Sequence, residues 1–192
     1  MSATGRSASA GTGHVRHPDD FYRTPAWCVR AILPHLDMPA DADVFDPACG
    51  DGAILDAIRE ALPNAATYGI EIDWDRATLA RRHNVRAADA LTLGPDWWDV
   101  DFIVMNPPFR HAEAFVRKAL AHAGTVAALL RLSWMASQKR VAFWREHPAD
   151  VYVLPKRPSF TGKGTDACDY AWFVWGPGRG GRWRVLDLQE AA

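Results

Sequence analysis

The chain has 192 residues, of which 48% are apolar, so the sequence predicts one domain with a sizeable hydrophobic core. Its net charge of −1 does not by itself indicate a nucleic-acid-binding protein, and it has neither an apolar run approaching the roughly 18–20 residues that span a membrane nor an N-terminal signal-peptide core. Three widely spaced cysteines, Cys28, Cys49 and Cys168, form neither a disulfide framework nor a zinc motif, which favours a reduced, cytoplasmic protein with no structural metal.

The charges are distributed unevenly along the chain. Residues 1–100 contain 9 Lys and Arg against 15 Asp and Glu, whereas residues 101–192 contain 13 against 8, so the two parts carry net charges of −6 and +5. A basic C-terminal half can meet phosphates even though the whole chain is nearly neutral. Such an asymmetry also arises by chance in soluble proteins, and both interpretations stay open at this point.

The N-terminal region divides into a tail and a helix start. Residues 1–17 are small, polar and rich in Gly and Ser, so we expect a flexible tail followed by a single domain over residues 18–192. Thr24 followed by Pro25 predicts a helix that starts at Pro25 and continues over 26–33, with the threonine hydroxyl as N-cap and proline at the first helical position. Capping alone would explain Thr24; the alternative is that a ligand carboxylate binds at this helix N-terminus, where free N–H groups favour anions.

A strand, a glycine loop and a helix come next. The predicted strand 43–46 leads into Pro47-Ala48-Cys49-Gly50-Asp51-Gly52, and the predicted helix 53–62 has one apolar face. This succession is typical of the opening of a doubly wound nucleotide-binding fold. However, Leu55 occupies the third glycine position of the dinucleotide fingerprint, and the carboxylate of Asp46 would repel a pyrophosphate but suit an ammonium group. The loop therefore argues against NAD and for a ligand with an amino-acid moiety.

Two further predicted strands carry acids near their carboxyl ends. Glu71, in the strand 67–73, follows the glycine loop at the spacing where such folds place an acid on ribose hydroxyls. Asp89, in the strand 85–90, can accept a hydrogen bond from an adenine amino group. A loop acid that caps the following turn is an equally open interpretation of Asp89.

The tetrapeptide Asn106-Pro107-Pro108-Phe109, here called the corner, follows the apolar run 101–105, which predicts a buried strand. The prolines stop this strand because they lack N–H groups and fix their own φ, and Asn106 is held outside the α region because it precedes a proline. The Asn106 Oδ1 and the Pro107 carbonyl can each accept a hydrogen bond from one NH₂ group, while Phe109 can stack on a ring. The corner therefore suits a planar ligand with an amino group, although an ordinary strand-ending turn is the alternative.

Strands and helices alternate through most of the chain. The sequence therefore predicts an α/β three-layer sandwich with a doubly wound, mostly parallel, seven-stranded Rossmann-like sheet. The remaining helices are predicted at 75–83, with Leu79 facing inward, at 111–122 and at 138–147, and the remaining strands at 124–132, 151–154, 170–175 and 182–188.

Taken in this order, the Thr24-Pro25 pair, the Asp46–Gly52 loop, Glu71, Asp89 and the corner resemble the S-adenosylmethionine-dependent methyltransferases that act on amino groups. The resemblance extends over residues 18–175. It is closest to the small Dam-like DNA N6-adenine methyltransferases often carried by phages and mobile elements. The glycine loop and the corner in this order make a specific pair, whereas either motif alone would be weak.

The resemblance implies a role for each matching position. Asp46 would meet the methionine ammonium of S-adenosyl-L-methionine, Glu71 the ribose hydroxyls and Asp89 the adenine amino group. The complete set of implied cofactor-binding residues is Thr24, Pro25, Asp46, Ala48, Gly50, Gly52, Glu71, Ile72, Asp89 and Asn106. The implied catalytic residues are Asn106, Pro107, Pro108 and Phe109, of which Asn106 and Pro107 would hold the target NH₂ and Phe109 would stack on a flipped adenine.

DNA is the substrate that this resemblance implies, with no metal and no membrane. Only 83 residues follow Phe109, which leaves no separate target-recognition domain, so a partner or a homo-oligomer is an expected source of specificity. In the polar loop 156–169, Arg157 and Lys163 can meet phosphate and Phe160 can sandwich or wedge a base, unless the loop is merely solvated. The alternatives are methylation of RNA bases or of protein glutamine by the same corner, and a non-catalytic accessory module with the same fold.

Overall fold

A computed structural model describes residues 21–162 and 164–187, so the expected tail at residues 1–17 and Lys163 lie outside the described residues. The helices are α1 (Ala26–Ile32), α2 (Ala53–Ala61), α3 (Trp74–Leu79), α4 (Ala112–Leu120) and α5 (Val141–Glu146). The strands are β1 (Asp43–Asp46), β2 (Ala66–Glu71), β3 (Val85–Ala87), β4 (Phe102–Met105), β5 (Thr125–Arg131), β6 (Asp150–Val153), β7 (Tyr170–Trp175) and β8 (Trp183–Val185).

All of these strands belong to one sheet with the order β3-β2-β1-β4-β5-β7-β6-β8. The first five strands in this order run parallel, and β7 is antiparallel to both of its neighbours. The α/β, doubly wound, mostly parallel architecture is confirmed. The expected count of seven strands is corrected to eight, because β8 pairs in parallel with β6 and covers backbone groups that would otherwise form the sheet edge.

The sheet separates two hydrophobic cores, and β7 shows how alternating side chains supply both. Tyr170, Trp172 and Val174 pack into the core that contains residues of α1 and α2. The intervening Ala171, Phe173 and Trp175 pack into the core that contains residues of α4 and α5. Because every residue of this strand is buried, β7 is covered on both faces, as the three-layer arrangement requires.

The start of α1 corrects the expected capping at Thr24. Pro25 is the N-cap residue, and no side chain caps this helix. The Thr24 hydroxyl instead accepts a hydrogen bond from Nδ2 of Asn106 at 3.0 Å. Pro25 has the extended φ and ψ of a residue outside the helix, which displaces the first helical turn by one residue and leaves Thr24 facing the corner.

The helix predicted at 75–83 is shorter than expected, and Leu79 faces outward. The structure has α3 only as far as Leu79, followed by a 3₁₀ turn over Arg81–His83. The Leu79 side chain is 64% exposed, so the inward placement is wrong. Ala77 and Ala80, three residues apart, form the buried side of this segment instead.

Neither a membrane-spanning helix nor a metal cluster is found in the part of the chain that the structure describes. No helix there has the length and apolar character needed to cross a bilayer. The same residues contain no group of three or more His, Cys, Asp or Glu side chains placed to hold a metal ion.

Trp172 is expected to be a main structural link between β7 and α1. Its buried indole donates a hydrogen bond from Nε1 to the Cys28 carbonyl at 2.8 Å, so Trp172→Phe loses both packing and this bond. We expect the free energy of unfolding, measured by urea denaturation, to fall by about 2 kcal/mol or more. Trp183→Phe, at a side chain that is 75% exposed, is the matched control and should change it by less than about 0.5 kcal/mol. Equal effects of the two substitutions would contradict this role of Trp172.

Candidate active site

The carboxyl ends of β1, β2, β3 and β4 open into one cavity of about 510 Å³. This is the edge where open α/β sheets bind ligands, and the strand order reverses here between β1 and β4. The volume lies within the roughly 300–1,000 Å³ typical of small-molecule sites. The predicted site residues that line the cavity are Thr24, Asp46, Ala48, Gly50, Glu71, Ile72, Asp89, Asn106 and Pro108.

Four consecutive residues, Phe21 to Thr24, line the cavity and are here called the entry strap. The Phe21 ring lies against Gly50 so closely that a Cβ at this glycine would be 2.4 Å from it. The Arg23 Nε lies 2.6 Å from Asp51 Oδ2, which links the strap to the glycine loop. Of this strap, only Thr24 was predicted from the sequence as a site residue. The adjacent aromatic pair Phe21-Tyr22 was the signal that could have identified the rest.

The side chain of Asn106 is held by the entry strap in one orientation. Its Nδ2 donates hydrogen bonds to the Tyr22 carbonyl and to the Thr24 hydroxyl, each at 3.0 Å. Both amide hydrogens are therefore used, which identifies the other amide atom as the oxygen. This Oδ1 is buried and has no hydrogen-bond partner among the described residues. An unpartnered buried acceptor is costly, so the arrangement is one that a donor from a ligand would complete.

Asp46 ends β1 as a buried carboxyl group, only 1% exposed. Its Oδ1 accepts a hydrogen bond from the Ala48 N–H at 3.0 Å. Burial raises the pKa of Asp46 to about 8; the Ala48 hydrogen bond lowers it in part and the nearby Glu71 raises it further. A cationic ligand group beside Asp46 would favour the ionised carboxylate, which agrees with the expected ammonium partner.

Glu71 connects the glycine loop to the second strand. Its Oε2 accepts a hydrogen bond from the Gly50 N–H at 2.9 Å, and its Oε1 accepts from the Asp73 N–H at 2.9 Å and from the Arg76 guanidinium at 3.0 Å. The Glu71 carboxylate therefore lines the cavity and also holds together the parts of the chain that form its wall. The sequence analysis missed Arg76, which also lies over the Phe21 ring at 4.9 Å.

The glycine loop depends on two left-handed backbone positions. Gly50 has φ +56° and Gly52 has φ +87°, a region that is unfavourable for residues with a Cβ. A Cβ at Gly52 would also lie 3.0 Å from the ring of His83. Gly52 does not line the cavity; it is the N-cap of α2 and acts on the site through the loop conformation.

The outer wall of the cavity contains Ile72 and Asp89. Ile72 is 69% exposed, which leaves an apolar surface suited to packing on a ring. Asp89 caps the short 3₁₀ turn Ala90–Thr92 by accepting from the Leu91 N–H at 3.0 Å. The capping interpretation of Asp89 is therefore confirmed. Its carboxylate is also exposed beside the cavity, where it can accept a further hydrogen bond.

Four aromatic rings meet beside the corner and are here called the aromatic cluster: Tyr22, Phe109, Phe160 and Tyr170. Tyr22 stacks on Phe109 with ring centroids 5.3 Å apart, and Phe160 packs edge-on against Tyr22 at 5.8 Å. Tyr170 closes the cluster by contacting both Phe109 and Phe160. The structure thus brings Phe160 of the polar loop to the corner.

Arg157, the other described substrate candidate of the polar loop, is not part of this cluster. Its Nε donates to Asp169 Oδ1 at 2.8 Å in an exposed ion pair, which offsets the charge that it would offer to a phosphate. Arg131, which the sequence analysis missed, lies with its guanidinium 4.5 Å from the Phe109 ring centre. Only the pairing of β4 with β5 brings Arg131, at the end of β5, beside the corner.

Comparison with known proteins agrees with this geometry. The methyltransferase small domain family matches residues 28–132, more than half of the chain. The chain is 32% identical over 104 residues to a type I restriction enzyme methylase subunit of Methanocaldococcus jannaschii, covering 45% of this chain and 18% of the relative. It is 29% identical over 147 residues to a type II methyltransferase of Thermus thermophilus, covering 69% of this chain and 33% of the relative.

The fold is shared with a solved type I restriction-modification system methyltransferase subunit from Streptococcus thermophilus. The TM-score is 0.65 at 17% identity, over 82% of this chain and 45% of that one. The chain therefore spans less than half the length of each of these three proteins.

Asp46 is expected to make stability pH-dependent. The pKa of Asp46 is about 8 in the folded chain against an ordinary value of 3.8. The contribution of Asp46 to the free energy of unfolding is therefore fully present below pH 3.8 and is lost as the pH rises to about 8. Asp46→Asn does not titrate. Its free energy of unfolding relative to the wild type should therefore rise with pH, by up to about 1.4 kcal/mol per pH unit, and level off above pH 8.

Urea unfolding at several pH values between 5 and 9 would measure this difference. Asp89→Asn is the matched control, since its side chain is exposed to water and it lines the same cavity. A difference between Asp46→Asn and the wild type that stays constant with pH would contradict the burial of an uncompensated carboxyl group.

Proposed function

This chain belongs to the methyltransferase small domain family, and we propose that it methylates the exocyclic N6 amine of adenine in DNA. The family and the fold imply S-adenosyl-L-methionine as the cofactor. The observation that carries the proposal is the oriented amide of Asn106, whose buried Oδ1 has no partner among the described residues. An amino group on a planar base is a donor that fits this acceptor.

The described residues fit the proposed cofactor group by group. Asp46 would hold the ammonium and Glu71 the ribose hydroxyls, while the exposed side chain of Ile72 would pack on the adenine ring. Thr24 retains its hydroxyl hydrogen, because it only accepts from Asn106, and that hydrogen can be donated to a carboxylate. When bound, S-adenosyl-L-methionine supplies an electrophilic methyl group on its sulfonium sulfur.

The corner would activate the target amine by orientation. The lone pair of an exocyclic amine is delocalised into the ring, which makes the nitrogen a poor nucleophile. The amine would donate one hydrogen bond to the Asn106 Oδ1 and one to the Pro107 carbonyl. These two bonds would favour a pyramidal nitrogen whose lone pair points at the methyl group. Positioning of this kind supplies up to roughly 7–11 kcal/mol of a barrier in favourable cases, so no strong general base is required.

Phe109 would stack on the flipped adenine. In the structure its ring already contacts the Tyr22 ring and the Arg131 guanidinium. A base that stacks on Phe109 therefore replaces one of these contacts. Because Tyr22 also accepts from Asn106 through its carbonyl, entry of the base would be coupled to the entry strap.

DNA is favoured as the substrate by the relatives named as a type I restriction enzyme methylase subunit and a type II methyltransferase, and by the net charge of +5 on residues 101–192. In the polar loop, Phe160 lies close enough to the corner to contact a base there. The Streptococcus thermophilus and Methanocaldococcus jannaschii proteins are named as subunits. We therefore also propose that a partner or a second copy of this chain contributes to target recognition.

The direct test is incubation with methyl-labelled S-adenosyl-L-methionine and unmethylated DNA, followed by nucleoside digestion and mass analysis. N6-methyladenine in the digest is the expected result. Label in RNA or in protein glutamine instead would reassign the substrate while keeping the corner chemistry. Calorimetry that detects no S-adenosyl-L-methionine binding at millimolar concentration would identify a non-catalytic module and overturn the proposal.

Asn106→Ala is expected to lower turnover by at least about a hundredfold, because it removes the acceptor that orients the amine, while binding of the cofactor is retained. Methyl incorporation into DNA measures the first effect and calorimetry the second. Asn64→Ala, at an exposed asparagine in the turn before β2, is the matched control and should leave both values unchanged. Near-normal methylation by Asn106→Ala would rule out the proposed role of the corner.

Phe160→Ala is expected to raise the KM for DNA roughly tenfold, since stacking of an aromatic side chain on a base contributes about 1–3 kcal/mol. Cofactor affinity should be retained, because Phe160 does not line the cofactor cavity. Steady-state kinetics with DNA and calorimetry with the cofactor separate the two effects. A Phe160→Ala, Lys163→Ala double variant that binds and methylates DNA normally would exclude the polar loop from substrate recognition.

A further inference from the structure

A second cavity, of about 280 Å³, has Phe109 in its lining and is here called the arginine cavity. It lies where β5 ends and α4 begins. Among its lining residues are Phe109, Arg110, Arg131, Ser133, Trp134 and Arg140, and no acidic residue is among those described as lining it. We propose that the arginine cavity binds a backbone phosphate of the nucleic acid next to the target base.

Arg131 is the strongest sign of an anion site. It is half-buried at the end of β5, and within the described chain it forms no ion pair with a carboxylate. Its Nε donates to the Tyr170 hydroxyl at 3.3 Å, and its guanidinium lies over Phe109. A guanidinium has five N–H donors and stays charged. Most of these donors are therefore available for an anion that enters the cavity.

Arg140 adds a second guanidinium to the wall of the arginine cavity. Arg140 is held in the wall by a hydrogen bond to the Trp134 carbonyl at 3.1 Å and by an ion pair with Glu113 at 3.3 Å. The same Glu113 carboxylate also pairs with Arg117 at 3.1 Å, so one acid serves two arginines. The nine-residue helix α4 begins at Ala112 in the same wall, and the N–H groups of its first turn favour an anion.

The position of the arginine cavity indicates which anion it would bind. Arg110 lines both cavities, Asn106 lines the first, and Phe109, three residues further along the corner, lines the arginine cavity. A ligand that places a base at the corner and an anion in the arginine cavity must connect the two across Phe109. A nucleotide within a polymer has this form, so the assignment rests on the proposed function and adds the residues that hold the backbone.

The salt dependence of binding tests this assignment. Each phosphate contact contributes about 0.9 to the slope of log K against log salt concentration for duplex DNA. We expect Arg131→Gln to reduce this slope by about that amount when binding of a fluorescent adenine-containing duplex is followed by anisotropy. Arg131→Lys keeps a point charge and should keep the slope. Arg59→Gln, at an exposed arginine on α2, is the matched control and should equal the wild type.

Unfolding curves and cofactor calorimetry on each variant establish that the fold and the first cavity are intact. An unchanged slope for Arg131→Gln, or no duplex binding by the wild type, would overturn the assignment. Thermal stabilisation by inorganic phosphate without any change in slope would identify a site for the free anion, which also overturns it. The methylated product distinguishes failure of the proposed function from failure of the phosphate site. If the slope depends on Arg131 but no N6-methyladenine forms, the phosphate site is kept and adenine methylation is rejected.

Discussion

The two hydrogen bonds donated by the Asn106 amide are the interaction on which the candidate site depends. They fix the side chain so that its oxygen, rather than its NH₂ group, is left without a partner among the described residues. Both acceptors belong to the entry strap, which continues directly into α1. That helix is in turn linked to β7 through Trp172, so a buried indole outside the corner supports the orientation of the amide.

The same edge of the sheet holds two buried acids at the ends of neighbouring strands. Glu71 is offset by Arg76 and by backbone N–H groups, whereas Asp46 has a single N–H contact and a pKa raised to about 8. Burying an incompletely compensated carboxyl group lowers the stability of the free chain at neutral and higher pH. A ligand ammonium would provide the missing compensation. Its binding would therefore be favoured, because it removes an unfavourable interaction that is present in the free chain.

Two cavities with different linings lie beside the corner, and Phe109 lines the second of them. Acids, an amide oxygen and three arginines line the first cavity, where a cationic cofactor and an amino group are expected, whereas the described lining of the second has arginines and no acid. This division matches a substrate that presents a neutral base attached to an anionic backbone. The aromatic cluster lies at the boundary, so the movement of Tyr22 or Arg131 is what would admit the base.

The sequence by itself determined the α/β class, the glycine loop and the corner, because proline, glycine and buried apolar runs act on the backbone locally. It also predicted Asp46, Glu71 and Asn106 as site residues, since each lies at the carboxyl end of a recognisable strand. The start of α1, the outward Leu79 and the pairing of β8 with β6 in the same sheet needed the tertiary structure, because short helices and the pairing of edge strands are decided by packing. Only strand order brings the entry strap and Arg131, distant in sequence, to the corner, and no local pattern encodes that approach.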